Sequence, residues 1–98
     1  IVNGIGVDLK DDEYIVNLEM VKSEKSEQSN STTTNVITAK DTVFANAINK
    51  AINNSGKKAY FKHVNLIVIG EALAQKGIGD IVDYMRRSRK IIEYRIRK

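Results

Sequence analysis

The stretch HVNLIVIGEALAQKGIGD, residues 63–80, decides the fold of this chain. It begins at His63, the one histidine of the sequence, and runs into residues 64–69, which are apolar on both faces except for one asparagine. Such a run is typical of a central strand that neighbouring elements cover. The strand leads directly into a short predicted helix, residues 70–77, which begins with Gly70 and is closed by another glycine. A strand followed at once by a helix indicates an α/β domain.

Three strands are predicted before this stretch, at residues 1–9, 13–21 and 35–39. The first two alternate apolar and polar residues and most simply form an antiparallel hairpin. Residues 22–34 contain no apolar side chain. We therefore expect a mobile, solvated polar loop there. One face of the first strand carries Gly4, Gly6 and Asp8.

Asp41 is predicted to cap a longer helix, in which apolar residues such as Val43 recur at helical spacing up to a terminating glycine. A third helix is predicted over 79–90 and a last strand over 91–98, with apolar and charged residues alternating in the strand. The element order is β-β-β-α-β-α-α-β. We expect one α/β domain of the α+β kind over residues 1–98, with a mixed sheet of about five strands and helices mainly on one face.

Composition excludes several classes of site. The 98 residues contain no cysteine, which excludes a disulfide framework and a thiolate metal site. The sequence contains no run of 18 apolar residues of the kind that crosses a membrane. Because it starts at Ile1 rather than at methionine, we expect it to be a piece of a longer precursor.

Charge is spread unevenly along the chain. Residues 1–56 carry 5 lysines and 8 carboxylates, whereas residues 57–98 carry 11 lysines and arginines and 4 carboxylates. A basic end indicates an acidic partner, which includes nucleic acid, anionic lipid and protein. The stretch RRSRKIIEYRIRK, residues 86–98, is compatible with nucleic-acid binding, but it offers few aromatic residues for base stacking and also fits a strand with a solvated face.

The residues that could carry chemistry do not form a recognisable catalytic or metal-binding set. The candidates are Asp8, His63 and Glu71, and nothing in the spacing places them together. With one histidine and no cysteine, zinc would need mostly carboxylate ligands, which it does not favour. Neither glycine pair of the GIG type continues into a dinucleotide-binding motif. We therefore predict no enzyme, no cofactor and no metal, and we expect His63 and Glu71 to stabilise the fold.

Three motifs and one arginine carry a resemblance to a known family. They are GIGVD with Gly6 and Asp8, DTVFANA with Thr42 and Ala47, HVNLIVIGEALAQKG with His63, Gly70, Glu71, Ala74 and Gly77, and Arg87 downstream. In this order and spacing, the chain resembles the N-terminal domain of the Ger(x)C, or GerAC-like, spore germination lipoproteins of the Firmicutes. These are the C subunits of GerA-type nutrient germinant receptors.

The resemblance implies a non-catalytic protein-interaction domain that takes part in nutrient-triggered spore germination. It implies that the lipoprotein is held on the outer face of the inner spore membrane by a lipid anchor outside this chain. The partners it implies are the integral-membrane A and B subunits of the receptor. It also implies that the family-motif residues are framework rather than catalytic. A small nucleic-acid-binding domain that uses the basic C-terminal third stays open as the alternative.

Overall fold

The computed structural model describes residues 2–25, 30–56, 66–88 and 92–98. In this part of the chain the elements follow the predicted order β-β-β-α-β-α-α-β. The strands are β1 (Val2–Lys10), β2 (Glu13–Lys25), β3 (Asn30–Asp41), β4 (Leu66–Gly70) and β5 (Glu93–Arg97). The helices are α1 (Phe44–Asn54), α2 (Glu71–Lys76) and α3 (Gly79–Arg87). Within these ranges, no helix combines the length and apolar character needed to cross a bilayer.

The described strands form one mixed sheet in the order β3-β2-β1-β4-β5. β1 and β2 pair antiparallel, as do β2 and β3. β4 runs parallel to β1 on one side and to β5 on the other. The predicted mixed, five-stranded α+β architecture is therefore confirmed, and the described part of the apolar run, residues 66–69, lies in a strand with neighbours on both sides.

The first hairpin turns through two aspartates. Lys10 pairs with Glu13, so Asp11 and Asp12 alone form the turn. Both have a positive φ, 52° and 62°, which is the backbone of a type I′ turn. That turn type matches the right-handed twist of the strands it joins, and it more often contains asparagine and glycine.

The second hairpin departs from the loop expected over residues 22–34. Within that range the structure describes 22–25 and 30–34, and both stretches are strand. Their pairing continues without interruption from Val21 opposite Thr34 to Lys25 opposite Asn30. A lack of apolar side chains argues against burial, but an antiparallel ladder satisfies its own backbone hydrogen bonds and threonine favours it. The expected mobility of this segment stays a prediction.

One hydrophobic core joins the sheet to the helices. Its strand members alternate along each strand and share one sheet face, so the described helices lie on that side. The core residues are Ile5, Val7, Val16, Leu18, Met20, Ala39, Phe44, Ala47, Ile48, Ala51, Ile67, Ile69, Leu73, Ile81 and Met85. Phe44 lies at its centre with edge-to-face contacts to two tyrosines, at 5.8 Å from Tyr14 and 5.5 Å from Tyr84 between ring centroids.

The start of α1 differs in detail from the predicted cap. The residue at the cap position of α1 is Val43, not Asp41. Oδ1 of Asp41 accepts a hydrogen bond from the Val43 amide at 2.9 Å, so it bonds the backbone just before the helix begins. Nζ of Lys50 lies 2.7 Å from Oδ2 of Asp41. The hydrogen bond from Lys50, followed by that from the Val43 amide, holds the pKa of Asp41 below its usual value. Val43 itself, which was predicted on the apolar face, is 51% exposed because it precedes the helix.

Candidate interaction surface

The sheet has a second face that none of the described helices covers, and we call it the open face. Its residues alternate along each strand with the core residues, and the pairing register arranges them in rows across the sheet. The open face includes Gly4, Gly6, Asp8, Ile15, Asn17, Glu19, Val36, Thr38, Lys40, Leu66, Val68, Gly70, Glu93, Arg95 and Arg97. It mixes glycines, apolar residues and both signs of charge.

A shallow depression of about 410 Å³ lies on the open face. Gly4 and Gly6 form its floor, since neither has a side chain to fill the space. A β-carbon added at Gly4 would meet no atom within 4 Å. Val36 on β3 and Val68 on β4 line opposite sides, and Val36 is 63% exposed. A shallow, open depression with apolar sides suits a segment of another protein better than an enclosed small molecule.

The rim of the depression is polar. Oγ1 of Thr38 donates a hydrogen bond of 2.6 Å to Oδ1 of Asn17, which fixes the amide beside the glycine floor. Glu19 and Arg97 bring one negative and one positive charge to the lining. The surface therefore combines a small apolar area with polar groups at its edge, an arrangement typical of protein interfaces.

At one end of the open face, Asp8 and Arg97 form an ion pair against Gly70. Nη2 of Arg97 lies 2.9 Å from Oδ1 and 3.1 Å from Oδ2 of Asp8. A β-carbon at position 70 would overlap Oδ1 of Asp8, so any residue other than glycine would force the carboxylate to move. Of the predicted site residues, Asp8 and Gly70 are thus in direct contact, whereas Gly6 lies in the next row, opposite Asn17.

Sequence reasoning missed Arg97 as a member of this group. The alternation over residues 91–98 did place Arg97 on the charged face of the last strand. That signal says nothing about which strand lies next to it. Parallel pairing of β5 with β4, which sets Arg97 opposite Gly70, comes from contacts between segments far apart in the chain.

Two of the predicted framework residues lie in or beside the core, and a third ends a helix. Ala47 on α1 is fully buried, and Ala74 on α2 packs against the core cluster. Gly77 ends α2 with a φ of 126°, which disfavours other residues, and its amide donates to the carbonyl of Leu73 at 2.9 Å. These positions agree with a structural role, which stays a prediction.

The remaining predicted residues are His63, Glu71, Thr42 and Arg87. His63 falls outside the described residues, so its expected burial is untested. Glu71 is exposed at the first position of α2, and no described backbone amide donates to its carboxylate. Thr42 is exposed in the bend before α1. Arg87 is exposed in the last turn of α3, where its Nε donates to the Asp83 carbonyl at 3.4 Å.

A second cleft, of about 220 Å³, lies between the start of α1 and α3. Two carboxylates, those of Asp80 and Asp83, line it together with Arg87. The hydroxyl of Tyr14 donates to Oδ2 of Asp80 at 3.4 Å. Burial, reinforced by the Asp80 charge and this hydrogen bond, raises the pKa of Tyr14. Helix N-termini generally favour anions, but the negative charges of Asp80 and Asp83 oppose binding of a phosphate at the N-terminus of α1.

Most of the described cations in the basic segment, residues 57–98, lie beside a carboxylate. The ion pairs are Lys76–Asp12, Arg86–Asp83, Arg95–Glu93 and Arg97–Asp8. The carboxylate in each pair reduces the positive charge that this surface would present to a phosphate backbone. The nucleic-acid alternative has no support here. Among the described residues, no group of three or more histidine, cysteine, aspartate or glutamate side chains could hold a metal ion.

Comparison with known proteins assigns the chain to a protein family. The model of a family described as the spore germination protein N-terminal domain matches residues 1–93. That range includes the three described helices, β1 to β4 and the first residue of β5. No curated protein and no solved structure matches the chain. The match confirms the resemblance that the glycine, histidine and carboxylate motifs indicated, and the chain belongs to the family of N-terminal domains of GerAC-like spore germination proteins.

Proposed function

We propose that the chain is a non-catalytic protein-interaction domain of a germinant-receptor C-subunit lipoprotein that acts in nutrient-triggered spore germination. Family membership over residues 1–93 supports a role in germination. In this proposal a lipid anchor outside the chain holds the lipoprotein on the outer face of the inner spore membrane. The partners are the integral-membrane A and B subunits of the receptor.

The open face is the observation that carries the proposal. Its depression is floored by Gly4 and Gly6, and the exposed Val36 stands at its side. Burial of an exposed valine in a contact is favourable by the hydrophobic effect, and the glycine floor lets a partner approach the backbone closely. We assign the contact with the A and B subunits to this face.

The candidate catalytic residues fit an interaction domain better than an enzyme. Both carboxylate oxygens of Asp8 lie within hydrogen-bond distance of Nη2 of Arg97, so the described contacts of this carboxylate are with the fold itself. Glu71 is exposed at the first position of α2, and among the described residues no side-chain hydrogen bond joins it to Asp8. A catalytic pair needs a shared geometry around one substrate atom, and the described contacts of these two carboxylates do not supply it.

The test is co-purification of the full C subunit with its membrane partners, with single substitutions in this domain. We expect Val36→Glu to reduce recovery of the A and B subunits and to slow nutrient-triggered germination, since it places a charge at the side of the depression. Val43→Glu is the matched control. Val43 is 51% exposed and precedes α1, where a carboxylate suits the helix dipole.

Two results would contradict the proposal. One is equal recovery of the A and B subunits with the wild type and with a C subunit from which this domain has been deleted. The other is equal loss for Val36→Glu and Val43→Glu, with both variants folded as judged by circular dichroism. The second result would remove the open face as the contact surface while leaving family membership untouched.

A further inference from the structure

β5 is an edge strand of the described sheet. Its charges are arranged so that they attract those of a second β5 running in the opposite direction. Within the described residues it has a strand neighbour only on the β4 side. An unpaired edge exposes backbone amides and carbonyls that can accept another strand. Residues 92–96 read I-E-Y-R-I. Reading backwards exchanges glutamate for arginine and leaves the isoleucines and the tyrosine in place.

We propose that a second copy of this chain pairs antiparallel with β5, with Tyr94 of the two copies opposite each other. In this register Glu93 of each copy faces Arg95 of the other, and Ile92 of each copy faces Ile96 of the other. Both ion pairs lie on the open face, and the tyrosine and isoleucine pairs lie on the helix side. The two five-stranded sheets become one continuous sheet.

The exposure of the individual side chains supports this occupant. Ile96 is 59% exposed although its register partner on β4, Ile69, is fully buried. Pairing with Ile92 of the second copy covers it. Glu93 and Arg95 have side chains that are 61% and 66% exposed and lie 3.3 Å apart. In the dimer, the one contact within each copy is replaced by two contacts between the copies, so every charge stays paired.

The alternation of charge distinguishes β5 from an edge that is only protected against aggregation. Edge strands are commonly protected by charges, lysine above all, which repel a second strand. On β5 the signs of Glu93 and Arg95 are ordered so that a second copy is attracted. Opposite-charge and aromatic pairs directly across an antiparallel ladder are each stabilising, whereas like charges there are destabilising.

The interface is small. Pairing of five residues covers less than the ~800 Å² per partner that stable complexes bury. We therefore expect a weak dimer, with a Kd on the order of 100 μM. This inference goes beyond the proposed function, and its test uses the 98-residue chain alone, so either can fail without the other.

The test is analytical ultracentrifugation of two charge-reversal variants, Glu93→Arg and Arg95→Glu, alone and mixed. The first variant sets arginine against arginine at both ion-pair positions, and the second sets glutamate against glutamate. We expect each alone to dimerise at least about tenfold more weakly than the wild type. In an equimolar mixture the opposite charges face each other again, and we expect a heterodimer of about wild-type affinity.

The matched control uses the exposed ion pair on α3. Asp83→Arg and Arg86→Glu change the net charge by the same amounts, and their side chains are 63% and 75% exposed. These two variants should each self-associate as the wild type does. Ile96→Lys tests the apolar half of the interface and should also weaken the dimer. A wild type that stays monomeric up to ~1 mM, or a Glu93→Arg variant that dimerises as well as the wild type, overturns the proposal.

Discussion

At the scale of single residues, Asp8, Gly70 and Arg97 depend on one another. The carboxylate of Asp8 occupies the space that a side chain at position 70 would need, and Arg97 holds it there. The resemblance to the family identified Asp8 and Gly70 as motif residues, but it did not explain why these residue types occupy those positions. The reason lies in the order β1-β4-β5, which brings residues 8, 70 and 97 into one row. No local pattern contains that order, so Arg97 could not be predicted.

Gly70→Ala is expected to lower the free energy of unfolding by about 0.5–1 kcal/mol, because the flexible Asp8 carboxylate can turn away at the cost of its partly exposed ion pair with Arg97. The added methyl overlaps the Asp8 carboxylate and displaces it from Arg97. Gly4→Ala is the matched control, because a β-carbon there meets no atom within 4 Å. It should change the unfolding free energy by less than about 0.5 kcal/mol. Urea unfolding followed by circular dichroism measures both.

A double-mutant cycle separates this overlap from other effects of the substitution. In an Asp8→Ala background the carboxylate is gone, so Gly70→Ala should cost less than about 0.5 kcal/mol there. If Gly70→Ala costs the same with and without Asp8, the two residues are not coupled. The close approach would then not be the reason for glycine at position 70.

At the scale of elements, periodicity predicted the existence of the strands and helices better than their ends. Alternation over residues 13–21 marked β2, but the strand continues to Lys25 through polar residues. Periodicity records which side chains are buried, and the outer part of the second hairpin needs no burial to keep its backbone paired. The end of the third helix was also predicted wrongly, since the helix expected over 79–90 ends at Arg87.

The type I′ turn of the first hairpin allows a stabilising substitution. Asp12 has a φ of 62°, a conformation that costs most residues energy but not glycine. Asp12→Gly should therefore raise the free energy of unfolding by about 0.5–1 kcal/mol. The lost ion pair with Lys76, 3.4 Å long and between side chains that are 90% and 58% exposed, contributes little.

Asp12→Ala serves as the control for this substitution. It removes the same carboxylate but keeps a β-carbon in the left-handed conformation, so it should lower the melting temperature while Asp12→Gly raises it. Thermal melts of the three proteins decide the point. Equal melting temperatures for the glycine and alanine variants would show that backbone strain in this turn has no effect on stability.

At the scale of the whole molecule, the class of fold could be predicted and the arrangement of its strands could not. The apolar run at residues 64–69 correctly indicated a central strand. Nothing in it indicated that β1 and β5 are its neighbours, because parallel strands are joined through long connections. The single domain expected over residues 1–98 stays a prediction. The continuity of one core from the sheet through the three described helices supports it.

Cooperative unfolding tests that expectation. Phe44 contacts Tyr14 on β2 and Tyr84 on α3, so it ties sheet and helices together. Phe44→Leu should lower the free energy of unfolding by about 1–3 kcal/mol and the melting temperature by ~5–15 °C. Far-ultraviolet circular dichroism follows the helices, and the near-ultraviolet tyrosine signal follows the aromatic cluster. In one domain both signals change at the same temperature, in the wild type and in Phe44→Leu.

The matched control for Phe44→Leu is Val43→Ala, at the exposed neighbouring residue. This variant should keep a melting temperature within about 2 °C of the wild type. Separate transitions for the two signals would divide the chain into more than one cooperative unit.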